Sequence, residues 1–445
     1  MASPRVKQTL MAAGGAGGVA NFMLRALGIK VTNNVQQPQM VADTDGTMYC
    51  VWNLYQHGSS SYYEPLIASI SPDGTVNWCK KYGWTNHLYT VGAPSINSTY
   101  MAIPMAASKA CAFAVNKSNG NLALAEQGTV GQYSVSAMLA AKDTGDIHHM
   151  FAYQNRLYTF TYDTSNSFSR TGVQQTNSSF GGGYRYPWGY MSAWEDNGDY
   201  YTLFTYPEYG AYPYQVFVKW GSNGLGTGQS GTFYMMGTST GGHIRGPMYQ
   251  IEPSGDWMLG ADSGVFYTIA NNWSSPRKYS LSGNARALHS NGIDNKVFVG
   301  NNNGKIEYVN LSSLGSPSID HARTINTGYQ QNKNETYSFG GAVYDGKLYI
   351  STQEEYFDSG NPTDQYQKNA YLFAYDLDAP FTGTITASPQ NVSFANRSTS
   401  ISVSDYGSIT SDTWTAGSTI NSINHSSIAN AITVTSLTPF SKFEF

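Results

Sequence analysis

The sequence predicts an all-β chain: a β-propeller of seven four-stranded blades followed by a small C-terminal β-sandwich-like domain. Three observations lead there. A unit of about 45 residues recurs along the chain, its strands are short and punctuated by Gly, Asn and Asp, and the composition is 40% hydrophobic but only 12% charged. The composition narrows the classes first. Of 445 residues 46 are Gly and 34 are Tyr, and the formal net charge is −4. A charged fraction near half the usual ~25%, without runs of like charge, excludes a helical bundle, a coiled coil and a basic nucleic-acid-binding surface. It also excludes charged disorder. No stretch reaches the ~20 apolar residues of a membrane span.

The repeat is clearest in two segments that align without a gap, 46 residues apart: Ala68-Ser-Ile-Ser-Pro-Asp73-Gly74-Thr-Val-Asn-Trp78 and Ala114-Val-Asn116-Lys-Ser-Asn119-Gly120-Asn-Leu-Ala-Leu124. Looser copies begin at Thr161, Phe217, Thr268, Tyr308 and Ala374, which makes seven units. A second half-repeat precedes each. Gly255-Asp-Trp-Met-Leu-Gly260 and Asn295-Lys-Val-Phe-Val-Gly300 lead into a Gly turn and a further strand, and Asp45-Gly46 and Asp345-Gly346 open the same element elsewhere. Alternating strands joined by Asp-Gly or Gly turns are the sequence form of a β-hairpin. Two hairpins per unit make a four-stranded blade, and seven blades make a propeller.

The arrangement of Ala68, Gly74 and Trp78 resembles the repeat of quinoprotein-like (PQQ-type) β-propellers, in which the Trp docks between neighbouring blades. The resemblance covers most of residues 35–380 and implies the fold; Ile70 stands where that family has Asp, and the adjacent cysteines of some quinoprotein dehydrogenases are missing. No cofactor is therefore expected. Outside the propeller, residues 1–34 read as an N-terminal arm made flexible by the Gly and Ala of residues 12–18. Arg5, Lys7 and the stretch from Leu10 to Ala20 make only a weak signal peptide, so a retained, docked arm is expected. After Pro380 the chain becomes rich in Ser, Thr, Asn and Ile, and the alternation at Thr384–Ala387, Ser400–Ser404 and Ile432–Thr435 marks half-buried strands of the small domain, 381–445.

Motifs for chemistry are sparse. Eight histidines show no metal spacing, and adjacent His148 and His149 point to opposite faces of a strand. The acidic segment Glu354-Glu355 to Asp364 could hold Ca²⁺ through Asp358, Asn361 and Asp364, although a solvated loop is the favoured reading; no metal site is assigned. Cys50, Cys79 and Cys111 sit in strand patterns and read as buried small apolar residues. Paired carboxylates can be nominated at Glu195 with Asp196 and at Glu354 with Glu355, but neighbours on a strand diverge, so a facing pair would have to come from different blades. Asn-x-Ser/Thr triplets at Asn97, Asn272, Asn310 and Asn334 follow from the composition alone. No catalytic residue is assigned.

The most distinctive local feature is aromatic: Tyr184-Arg-Tyr186-Pro-Trp188-Gly-Tyr190, continued by Tyr206-Pro-Glu-Tyr209-Gly-Ala-Tyr212-Pro-Tyr214. Rigid rings with a polar edge serve protein interfaces and sugar surfaces, and they also serve as packing between blades. A Tyr-, Asn- and Gly-rich, weakly charged propeller with an arm in front and a Ser/Thr-rich β unit behind is similar to virion structural proteins of tailed bacteriophages. That resemblance implies a non-enzymatic tail, fibre or capsid-surface component. Its partners would be other virion proteins in a larger oligomeric assembly, and a host cell-surface glycan. The alternatives are a secreted or cell-surface glycan-binding propeller, in an extracellular setting, and a carbohydrate-active propeller enzyme.

Overall fold

A computed structural model of the chain describes residues 20–26, 39–56, 62–85, 88–107, 109–128, 136–153, 156–176, 188–196, 199–206, 214–220, 231–237, 244–251, 254–261, 265–281, 285–290, 295–301, 304–327, 336–356, 367–388, 390–407, 409–419 and 425–445. They form seven antiparallel blades. Blade 1 comprises Gln39–Ala42, Met48–Gln56, Tyr62–Ile70 and Val76–Gly83. Blades 2 to 6 follow the same order, each four-stranded with the innermost strand first; in blade 2 that strand is split into Tyr89–Thr90 and Ser95–Ile96. Blade 7 takes three strands from the end of the ring, Thr336–Tyr344, Lys347–Tyr356 and Gln367–Asp376, and its fourth, Phe22–Ala26, from the beginning of the chain. The first strands pack side by side around the axis, and that of blade 7 returns to blade 1.

Successive side chains of a strand point to opposite faces, and a blade buries both. In Met48–Gln56, Met48, Cys50 and Trp52 face the core shared with blade 7, while Tyr49 and Val51 face the core shared with blade 2. This is why the strands read as nearly continuous apolar runs. The three cysteines are free and buried, as their strand positions suggest. Burial pushes the thiols of Cys79 and Cys111 up to about 12, and that of Cys50 further still.

The repeated segment is the third strand of each blade and the turn that follows it. In that turn an Asp or Asn side chain accepts the backbone N–H two residues on, the geometry of an Asx turn: Asp73 from Thr75, Asn116 from Ser118, Asp163 from Ser165, Asn272 from Ser274 and Asn310 from Ser312. The Asn-x-Ser triplets at Asn272 and Asn310 are thus turn elements, as is Asn97, which accepts from Thr99 and Tyr100.

The turns of blades 1, 2, 5 and 6 each receive a side chain from the blade before. Trp78, on the fourth strand of blade 1, donates its indole N–H to Lys117 O at 2.8 Å in the turn of blade 2, and Tyr82 donates to Gly120 O at 2.5 Å. Gly120 has φ +67°, and a Cβ there would lie 2.5 Å from the Trp78 ring; Gly74, in the matching turn of blade 1, meets Phe22 of blade 7 in the same way. Tyr234 of blade 4 stacks on Trp273 in the turn of blade 5, ring centroids 4.6 Å apart, and Tyr279 of blade 5 donates to Leu314 O in the turn of blade 6 at 3.0 Å. The glycine is fixed twice, by its left-handed backbone and by the ring against it.

Residues 381–445 depart from the expected sandwich. After a short hairpin of Gly383–Ile385 with Val392–Asn396, their strands pair with the blades rather than with one another. Val392–Asn396 joins the outer strand of blade 6, Ser402–Asp405 that of blade 5, Ser426–Ser427 that of blade 2, Thr433–Ser436 that of blade 1 and Phe440–Glu444 that of blade 7. Ile409–Thr419 pairs with blades 4 and 3 at once and fuses them into a nine-stranded sheet. The tail is a belt that runs round the rim against the order of the blades. A four-stranded blade ends in an open edge whose backbone groups need partners, and the belt supplies them where a separate sandwich would leave them bare.

The belt also plugs the grooves between blades. Phe394 and Val392 enter the core between blades 6 and 7, Tyr406 that between 4 and 5, Ile428 and Ile432 that between 1 and 2, and Leu437 and Phe440 that between 7 and 1. His425 lies against Phe160 of blade 3, ring centroids 4.2 Å apart. The two ends of the belt meet, with Phe381 and Phe445 at 4.4 Å between ring centroids. Arg25 of the closing strand, 1% exposed, donates to the carbonyls of Gln390 and Ser388 near the start of the belt and lies 4.9 Å from the ring of Phe443 near its end. The propeller therefore reaches past the expected 35–380, with Phe22–Ala26, expected in the arm, buried in blade 7.

Gly120→Ala should lower stability by about 1–3 kcal/mol through backbone strain and the clash with Trp78. In a Trp78→Ala background the same change should cost measurably less, because the ring is gone; thermal unfolding of the four proteins of the cycle checks this. Ending the chain after residue 432 should strip protection from the outward-facing amides of residues 80–83 and of Phe22–Ala26 while leaving blades 3 to 5 unchanged, as read by hydrogen exchange.

Candidate binding face and polar junctions

In every blade the turns between strands one and two and between strands three and four open on one face; the hairpins between strands two and three and the crossovers to the next blade open on the other. The first face carries the short Asp, Asn and Gly turns. Both aromatic segments belong to the second. In blade 4 Trp188 pairs with Thr205, and Tyr206 with Tyr214, so the chain before Trp188 and between Tyr206 and Tyr214 is attached at one end of one blade. Trp188, Tyr190, Tyr206 and Tyr214 lie at those strand ends; Tyr184, Tyr186, Tyr209 and Tyr212 lie outside the described residues. Blade 7 offers Glu354 and Glu355 at the same face, where Glu354 pairs with Thr336 and Asn369. The Ca²⁺ candidates Asp358, Asn361 and Asp364 also fall outside the described residues.

This face has a structural signature that strand counting alone does not show. The innermost strands of blades 4, 5, 6 and 7 all slip register near their first residues, between Trp188 and Met191, Ile244 and Met248, Ala285 and Ala287, and Ser338 and Gly340. Such bulges re-aim side chains at the mouth of a sheet. Glycine inside an apolar run, as at Gly189, Gly246 and Gly340, is the sequence signal that could have located three of them.

Glu195 lies at the opposite face, so the two nominated carboxylate pairs are separated by the length of a blade. The partners of Glu195 come from blade 3. Its Oε2 accepts the Lys142 N–H at 2.8 Å, and Tyr200 donates its hydroxyl to Asp143 Oδ1 at 2.7 Å. Behind them His148, 5% exposed, shares a hydrogen bond of 3.0 Å between Nδ1 and Thr161 Oγ1, with its ring edge-on to Tyr200. Burial holds the Glu195 carboxyl above its ordinary range, opposed by the Lys142 amide and reinforced by Asp143. Burial pulls His148 down to about 4, against the pull of Asp143. The result is a fastener between blades 3 and 4, in which Glu195 and Tyr200 of blade 4 hold the turn at Lys142 and Asp143 of blade 3, with the His148 ring against Tyr200.

A cleft of about 830 Å³ lies between blades 6 and 7, lined by Lys296, Asp320, His321, Arg323, Asp345, Asp378 and the belt residues Asn396 to Thr399. Its charges are mostly engaged with the protein. Lys296 pairs with Asp320 at 2.9 Å, Arg397 with the buried Glu307, and Arg323 donates to Phe381 O and Pro380 O at 3.2 Å. His321 stacks on Tyr308 at 5.2 Å, and burial with the nearby Arg323 lowers its pKa to about 4. Among the described residues no three His, Cys, Asp or Glu side chains group as a metal site.

The sign of the Glu195 effect is testable. A carboxyl whose pKa is raised on folding favours the fold at low pH and loses that contribution as pH rises through the raised value. Glu195→Gln keeps an acceptor for Lys142 N–H and removes the charge, so it should raise the melting temperature near about pH 7 and lose that advantage near about pH 4.

No protein-family model matches the chain, and no curated protein matches it. Solved structures do. BamB from Moraxella catarrhalis is 11% identical over 78% of this chain and 85% of its own, with a TM-score of 0.39. Apo AztD from Citrobacter koseri is 8% identical over 89% and 99%, with a TM-score of 0.35, and a bifunctional GH43-CE protein from Bacteroides eggerthii is 10% identical over 85% and 64%, with a TM-score of 0.34. The seven-bladed propeller is established by the strand pairing of the chain itself.

Proposed function

We propose that the chain is a non-enzymatic binding propeller, a structural component of a larger assembly that meets its partner through the face carrying the crossovers and second hairpins. The observation that carries this reading is the register of blade 4, which attaches both Pro-Tyr aromatic segments at one end of one blade. Aromatic side chains supply contact area at little entropic cost. The belt supports the same reading: the chain's own strands take the outer edge of each blade, and the loops available for recognition lie on the two faces. The setting we favour is the virion of a tailed bacteriophage, in tail, fibre or capsid surface, with other virion proteins as neighbours and a host-surface glycan as a further partner. Composition and layout support that setting.

The experiment is co-sedimentation of the purified chain with particles from its native source, alongside a glycan array. The wild type should bind one or both, and Tyr186→Ala combined with Trp188→Ala should weaken binding roughly 30-fold, the loss of about 2 kcal/mol at a central aromatic anchor. Its melting temperature should stay within about 2 °C. A large fall in melting temperature would assign these rings to the core of blade 4 instead.

A further inference from the structure

Where the closing strand enters blade 7, four chemically complementary groups converge. Lys347, 5% exposed, opens the second strand of the blade and pairs across the sheet with Asp376 at the end of the third. Its side-chain nitrogen donates to Asp376 Oδ1 at 2.7 Å and to Asn21 Oδ1 at 2.9 Å. The backbone N–H of Asp376 donates to the same Asn21 oxygen at 3.2 Å. Asn21 itself is half-buried and immediately precedes Phe22–Ala26. An amine, a carboxamide, a carboxylate on the amine and an amide N–H on the carboxamide oxygen are the parts of an acyl-transfer centre: nucleophile, electrophile, proton carrier and oxyanion donor.

We propose that Lys347 and Asn21 become joined by an isopeptide bond that the chain forms by itself, with Asp376 carrying the protons. The Asp376 carboxylate takes a proton from the Lys347 ammonium, and the freed amine attacks Cγ of Asn21. Negative charge develops on Oδ1, facing the Asp376 N–H. The Asp376 carboxyl protonates Nδ2 and takes the remaining surplus proton from Nζ. The Cγ–Nδ2 bond breaks, the Nζ–Cγ bond stays, and ammonia leaves, collecting the proton left on Asp376 as it departs. One ammonium and one carboxamide give one secondary amide and one ammonium ion, with no oxidant and no cofactor.

The bond would fall where the fold has most to gain from it. It closes a loop between positions separated by 326 in sequence and fixes the entry of the one strand that completes the ring. The Asn21 backbone carbonyl also accepts the N–H of Phe445 at 3.0 Å, so the same residue anchors the end of the belt. The inference concerns the cohesion of the chain and stands apart from what the opposite face binds.

The test is the intact mass and tryptic map of the full-length protein. The expected mass is lower than the sequence mass by one ammonia, with a linked peptide pair containing Asn21 and Lys347 and no tryptic cleavage after Lys347. Cyclisation of Asn21 to a succinimide gives the same mass loss without a linked pair, and that result would overturn the proposal. So would a wild-type protein at its sequence mass. Lys347→Arg and Asn21→Ser should each show no linked pair. Asp376→Ala, which keeps both reacting side chains, should show at most a small residue of it; full linkage in that variant would remove Asp376 from the chemistry. The wild-type measurement decides even where a variant fails to fold.

Discussion

The whole architecture hangs on five residues. Phe22–Ala26 is buried between Gln367–Asp376 on one side and Phe440–Glu444 on the other, so a single strand from the start of the chain completes the last blade and receives the last turn of the belt. A ring of blades has no stable open form, because each blade buries its faces against two neighbours and a gap would expose both. Phe22 shows how the closure is shared: it is part of blade 7, yet its ring occupies the space that the glycine of the blade 1 turn leaves open. Arg25 in the same strand grips both ends of the belt, and at 1% exposure its guanidinium can be buried only because carbonyls and an aromatic face take up its charge.

Closure and sealing together divide the surface into parts with different work. The rim is occupied by the chain's own belt, whose backbone pairs with the blade edges and whose few apolar side chains enter the grooves between them. Many belt side chains face outward, as in Thr433–Ser436, where all four residues are exposed, so the belt is held more by its backbone than by its side chains. One face is finished by short Asx turns that bind the blades together through Trp78, Tyr82 and Tyr279. The other face collects the aromatic segments and the bulged entries of blades 4 to 7. Short Asx turns on one side and crossovers with second hairpins on the other is the arrangement expected of a scaffold that presents loops.

Polar groups that are buried in whole or in part follow the seams. The Glu195 and His148 junction, the ion pair of Glu307 with Arg397 beneath the belt, and the meeting of Lys347, Asp376 and Asn21 each lie where two elements distant in sequence come into contact. A buried charge costs more than its pairing returns unless its geometry is well held, so such groups act as register pins: they fit only when the correct strands are side by side.

The sequence by itself determined the repeat and the turns, because those depend on local spacing: the 46-residue offset between Ala68 and Ala114 is the distance from one third strand to the next, and Asp73-Gly74 and Asn119-Gly120 carry their turns within a few residues; the count of seven blades rests on the strand pairing, since the later copies are irregularly spaced. Trp78 was legible through the resemblance to the quinoprotein-like repeat, which implies a ring docked between blades. The belt was not. The alternation in Ser400–Ser404 and Ile432–Thr435 announces a half-buried strand, but a strand's pattern says nothing about which edge it will pair with, and a self-contained sandwich and a belt around a propeller ask for the same alternation. Nor could spacing show that Glu195 answers to Lys142 and Asp143 rather than to Asp196, or that Asn21 meets Lys347. Those pairings are decided by ring closure, which brings the first and last strands together only after every blade between them has taken its place.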